Sequence, residues 1–330
     1  MEQKNDKTQR QQKLKALEKK HRIKNNHIKE VSFYNENIFH WQNKQTVVEI
    51  NKDNIKIFDK ENKEQLTIKN EDKNLAIWDN IIYHNQEIFL LKRKNQISRM
   101  RWDWVSFKWF HQHVLAANID IAVIVAPAKQ PDFQPNFIDR FIVVCQIWWV
   151  KPLICITKSD LADINHPILL QYQKIWIEII KTSIYENKWI DELKNVLSNK
   201  TCVFLWKSWA GKSSLTNILL SQEIVKTQGI SQKSDRWKHT TTISRLYERK
   251  ESSYIIDTPW IKSLGIEVMD KKTIKDFFPE FIEFAPKCRY KDCLHQDEPL
   301  EQCWIKQAVQ KWNIDLSRYQ SYLRLLDECI

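Results

Sequence analysis

At 330 residues the chain is long enough for two or three domains, each with its own hydrophobic core. Its formal charge of +11 at pH 7 favours an acidic polymer such as nucleic acid as partner. No apolar run approaches the roughly 18–20 residues of a membrane span, and the polar start MEQKNDKTQR lacks the apolar core of a signal peptide, so a cytoplasmic protein with no membrane partner is expected.

Residues 1–30 hold ten Lys/Arg against four Asp/Glu and almost no apolar periodicity. They read as a solvated, disordered tail that can also serve as a basic arm on RNA phosphates. From 31 to 101 come short alternating segments, TVVEI, NIKIF, QLTIK, LAIWDNIIYH and EIFLLKRKN. Period-two patterning with polar turns predicts a small all-β unit of about five strands. An oligonucleotide-binding (OB) type barrel fits, with the basic run Lys92 to Asn95 at its exit.

From about Ala116 apolar strands alternate with helices: IDIAVIVAPA, KPLICITKSD, KIWIEIIKTS, TCVFLWKSWAGKSS and SYIIDTPW. Each ends in polar residues suited to a ligand, which predicts an α/β domain over 102–270 with a parallel sheet and ligand loops at its strand ends. After Phe277 the chain reads as helical and cysteine-bearing, giving a last domain over 271–330.

The strongest motif is FLWKSWAGKSSLTNILL at 204–220, an apolar strand running through Trp206, Lys207, Ser208, Trp209, Ala210, Gly211, Lys212, Ser213 and Ser214 into a helix. The phosphate loop G-x-x-x-x-G-K-[ST] has this context, its amides cradling phosphates, its lysine on the β/γ-phosphates and its hydroxyl on Mg²⁺. Trp206 stands at the first glycine position, and taken literally the motif fails there. The threonines at 240–242, Thr241 among them, suit either a switch segment closing over Mg²⁺ or an exposed strand edge. YIIDTPW ends an apolar strand in Asp257, which can hold a water on Mg²⁺, and puts Trp260 where a glycine amide would approach the γ-phosphate.

Guanine is read by a carboxylate that accepts from its N1 and amino group. Thr157, Lys158, Ser159 and Asp160 suit this task, with the lysine packing over the base and Thr182 and Ser183 forming a companion loop. These guanine loops precede the phosphate loop, the reverse of their usual order. The permuted order, with AANIDIAVIV, KQPDFQPNFIDRF, KPLICITKSDL and RYQSYLRLL, resembles the circularly permuted GTPases of small-ribosomal-subunit assembly, the RsgA/YjeQ family, over roughly residues 40–330.

Cys288, Cys293, His295 and Cys303 lie within sixteen residues and fit a closed tetrahedral Zn²⁺ site of structural type. The resemblance implies that this metal lobe helps to dock on ribosomal RNA. It also implies Mg²⁺-dependent hydrolysis of GTP to GDP during late maturation of the small (30S) subunit, by a monomer that binds the subunit and its rRNA. Ile261 stands where many GTPases place a water-orienting glutamine, which predicts slow turnover that the subunit accelerates. A GTPase acting outside the ribosome is a further alternative.

The chain has 3 glycines and 15 tryptophans, whereas usage of about 7% glycine predicts roughly 23. Trp206 and Trp260 fall at motif glycines and Trp209 and Trp237 where the family's loops usually have glycine; Trp78, Trp189 and Trp312 fall at expected turns, and the pair Trp148-Trp149 where a glycine helix cap is expected. This pattern predicts UGA codons that encode glycine but are written as tryptophan, with Trp102 or Trp304 as candidates for authentic residues. Were the tryptophans real, indoles at 206 and 260 would occupy the phosphate space. The chain would then be a non-hydrolytic RNA-binding protein around a degenerate nucleotide site.

Overall fold

The computed structural model describes residues 44–51, 53–59, 62–69, 75–84, 87–102, 110–162, 166–186, 189–206, 212–221, 244–249, 252–257, 266 and 269–329. The basic tail over 1–30 lies outside them.

The first part is antiparallel. β1 (Lys44–Ile50), β2 (Asn54–Asp59), β3 (Glu64–Lys69), β4 (Asn80–His84) and β5 (Glu87–Leu90) lie in the order β3-β2-β1-β4-β5. The alternating segments predicted as strands carry these pairings. Among the described residues no pairing joins β3 to β5. β6 (Gln96–Trp102) and β7 (Phe110–Ala117) pair with each other, so strand pairing runs across residue 102, and Ala116 of β7 bridges to Ile77.

The second part is a parallel sheet. β8 (Ile121–Pro127), β9 (Lys151–Thr157), β10 (Glu178–Lys181), β11 (Thr201–Trp206) and β13 (Ser253–Asp257) run parallel in the order β10-β9-β8-β11-β13, and β12 (Ser244–Arg249) closes antiparallel on β13. β12 also pairs with the end of β1, where Glu49 faces Arg245, so the two sheets are continuous.

Both faces of these strands are buried, which explains their unbroken apolar runs. On one face Ala122, Ile124, Ala126, Ile154, Ile156, Val203 and Leu205 pack with α1 (Pro135–Ile147) and α2 (Ile168–Lys174). On the other, Val123, Val125, Leu153, Cys155 and Phe204 pack with α3 (Ile190–Val196) and α4 (Lys212–Ser221). This is a doubly wound sheet, whose ligand edge is the carboxyl end of its strands.

The basic run Lys92 to Asn95 joins the two parts. Arg93 makes two 2.7 Å hydrogen bonds to the buried Asp79, and Lys94 pairs with Asp120 at 2.7 Å. Asn95 donates to the Ile119 carbonyl and accepts from the Ile119 amide, each at 2.7 Å.

The C-terminal part holds α5 (Lys271–Ile274), a run of short 3₁₀ turns, α6 (Trp304–Gln310) and α7 (Leu316–Glu328). Asp315 caps α7 by accepting from the Ser317 amide at 2.8 Å. Among the described residues no helix is long and apolar enough to cross a membrane.

Candidate nucleotide and metal sites

β9 and β10 are neighbours, so the loops that leave their carboxyl ends come together. The Ser159 amide donates to the Thr182 carbonyl at 3.2 Å, and the Thr182 amide donates to the Ile156 carbonyl at 2.7 Å. Ser183 Oγ, fully buried, donates to Asp160 Oδ1 at 2.7 Å and accepts from the Glu186 amide at 3.2 Å. One side chain therefore fixes the Asp160 carboxylate from the opposite loop. Thr157 and Thr182 are buried beneath, where burial pushes the Cys155 thiol up to about 12, against the opposing effect of the Thr182 hydroxyl. Lys158 Nζ donates to the Gln130 carbonyl in the loop after β8, so its aliphatic stem is anchored at both ends.

β11 lies between β8 and β13 at the centre of the sheet and runs out at Trp206; α4 begins at Lys212. Lys207, Ser208, Trp209, Ala210 and Gly211 between them lie outside the described residues, as do Thr241 and Trp260. The side chains of Trp206, Lys212, Ser213 and Asp257 are likewise outside the description, while Ser214 is exposed on the first turn of α4. Asp257 follows Ile256, which pairs with Val203, so β11 and β13 deliver their ends to the same edge as the loops that carry Asp160 and Ser183.

The cysteine-histidine cluster is assembled as its spacing predicts. One ligand atom from each of Cys288, Cys293, His295 and Cys303 lies within 4.8 Å of the others. His295 Nδ1 faces the three sulfurs at 3.0 Å (Cys293), 3.5 Å (Cys303) and 3.7 Å (Cys288). Three successive carbonyls of this knuckle are each held by a donor: Cys293 by Lys275 Nζ at 3.0 Å, Leu294 by Tyr322 Oη and His295 by Tyr319 Oη, both at 2.6 Å. Glu298 accepts from the Leu294 and Gln296 amides at 2.7 and 3.0 Å. Burial, with Lys275 nearby, lowers His295 to about 4, so its imidazole is neutral at pH 7 and free to donate a lone pair. The set fits a metal ion with no position left open.

Sequence reasoning missed the shell around this cluster and the joint beneath it. Arg318 of α7, 1% exposed, donates to Asp139 of α1 and to Glu280, each at 2.6 Å. Burial opposes the charge on Arg318, but Glu280 and Asp139 more than offset it and hold the group above its usual range. Ser321 Oγ adds a 2.7 Å bond to Asn136 Oδ1. The segments QPNFIDRF and RYQSYLRLL marked a family likeness, yet nothing in either alone shows that they pair.

Residues 90–267 match the family model described as RsgA GTPase, more than half of the chain. The chain belongs to the RsgA GTPase family. The RsgA protein of Flavobacterium psychrophilum, named a small ribosomal subunit biogenesis GTPase, is 37% identical over 241 residues, 71% of this chain and 72% of that one. The equally named protein of Caldanaerobacter subterraneus subsp. tengcongensis is 34% identical over 241 residues, 72% and 76% of the two chains. The crystal structure of YjeQ from Thermotoga maritima superposes with a TM-score of 0.63 at 25% identity, over 87% of this chain and 98% of that one. YloQ, described as a circularly permuted GTPase, shares the fold at a TM-score of 0.62 and covers 89% and 97%.

This RsgA chain thus has the permuted fold expected from the order of its motifs, with a β-sheet domain before the α/β sheet and a cysteine-histidine cluster after it. The reading as a non-hydrolytic RNA-binding protein is not favoured by relatives that are named GTPases.

Proposed function

We propose that this chain hydrolyses GTP to GDP and phosphate in the cytoplasm during maturation of the small ribosomal subunit, as a monomer that contacts the subunit and its rRNA. The observation that carries the reading is the Ser183–Asp160 hydrogen bond at 2.7 Å, at the sheet edge where α4 begins with Lys212. A carboxylate fixed in this way can accept two hydrogen bonds from guanine N1 and its amino group. Lys158 covers the base, and the amides of 207–214 with Lys212 stabilise charge on the phosphates.

Ser213, Thr241 and Asp257 offer only oxygen donors, which suits Mg²⁺. When bound, Mg²⁺ neutralises charge on the phosphate oxygens. Cys288, Cys293, His295 and Cys303 suit one Zn²⁺ per chain, which would hold the lobe's fold rather than react. The proposed domains are a tail over 1–30, an OB-type barrel over 31–101, the GTPase domain over 102–270 and the zinc lobe over 271–330. The names of the relatives support the ribosomal setting.

Asp160→Asn tests the base assignment. A carboxamide presents a donor where guanine needs an acceptor and pairs instead with the 2-oxo group of xanthine. Competition binding should show the variant losing GTP and gaining xanthosine triphosphate. An unchanged preference for GTP would remove Asp160 from the site.

A further inference from the structure

Left-handed backbone falls on twelve non-glycine residues among those described, and five of them are tryptophan: Trp78 (φ 71°), Trp149 (59°), Trp176 (66°), Trp189 (56°) and Trp312 (61°). With 15 tryptophans in 330 residues, an even draw would place on average fewer than one in a set of twelve. Bulky side chains avoid this region because Cβ crowds the following carbonyl oxygen.

Three of the five share one hydrogen-bond pattern. After α1, the Val150 amide donates to the Cys145 carbonyl at 2.9 Å and the Trp149 amide to Gln146 at 3.3 Å. After α2, the Ile177 amide donates to Tyr172 at 2.9 Å and the Trp176 amide to Gln173 at 3.0 Å. After α6, the Asn313 amide donates to Ala308 at 2.9 Å and the Trp312 amide to Val309 at 3.1 Å. Each is a complete Schellman termination, with tryptophan at the left-handed position that glycine ordinarily takes.

Indole packing does not account for the choice. Trp149, Trp176 and Trp312 are 41%, 67% and 81% exposed. The residues beside them that matter to the core, Cys145, Val150, Tyr172, Ile177 and Ala308, are buried. The backbone is thus specified at these positions while none of the three side chains is buried.

We infer that the polypeptide made in the cell carries glycine at 149, 176 and 312, and also at 78 and 189, each written tryptophan standing for a UGA codon that encodes glycine. The inference stands on backbone geometry and does not depend on nucleotide chemistry. Trp176 had no motif to mark it and is added by the structure. The same codon reading at Trp206, Trp209 and Trp260 restores glycine to the phosphate loop and to the turn after Asp257.

Three tryptic peptides decide the matter, because residues 175–181, 189–194 and 312–318 each carry one of these tryptophans alone. The protein would be isolated from its source cells, digested and sequenced by tandem mass spectrometry. Glycine at 176, 189 and 312 is the expected result. Tryptophan at any of the three overturns the inference, whatever the protein does with nucleotides.

Discussion

Asp160 would select guanine only if its carboxylate is held in one orientation, and Ser183 is the group that holds it. Replacing Ser183 with alanine removes one hydrogen bond from a buried hydroxyl to a charged acceptor, a loss of roughly 1.5 kcal/mol. Calorimetry on Ser183→Ala should therefore give roughly tenfold weaker GDP binding, with a smaller loss than for Asp160→Asn. Equal affinity would mean that the contact is incidental. Both residues were legible in the sequence because each directly follows an apolar strand, and a strand end in a parallel sheet points to the ligand edge. The cysteine-histidine cluster was legible for a related reason, since its four residues lie within one short segment. Lys275, Tyr319 and Tyr322, which fix the carbonyls of that segment, were not. They reach it from other elements and carry no spacing signal.

At the scale of elements, the strands were the most readable part. Period two marked β1, β2 and β3, and unbroken β-branched runs marked β8 and β9. β6 and β7 were missed: FHQHVLAA blurs the alternation that identifies a half-buried strand, and its partner QISRMRW is no clearer. The helix ends hold the most specific stability prediction. A left-handed conformation costs a residue bearing Cβ about 1 kcal/mol relative to glycine. In the chain as written, Trp149→Gly, Trp176→Gly and Trp312→Gly should each raise the urea midpoint by an amount equivalent to about that energy. The indoles are too exposed to offset the gain. A lowered midpoint for all three would mean that the rings contribute packing which their exposure does not suggest.

At the scale of the molecule, the cysteine-histidine lobe and the α/β sheet are tied by Arg318, Asp139 and Glu280. Neither segment announces this joint, because its partners are 179 residues apart and complementary only once folded. Arg318→Ala would leave two carboxylates facing a buried gap, and breaking such a pair costs about 3–5 kcal/mol. Denaturant unfolding should show a loss of that order; a change below about 1 kcal/mol would mean that water replaces the guanidinium. The permuted order was legible because motifs keep their sequence positions whatever the packing. The junction of β1 with β12 was not, since pairing between distant strands leaves no local trace. Hydrolysis of GTP beside a ribosomal subunit would engage the whole protein. The most direct measurement is phosphate release from GTP by the protein purified from its own cells, with and without purified small subunits. Slow hydrolysis that rises many-fold on adding subunits is the predicted result, and no hydrolysis under either condition would contradict it.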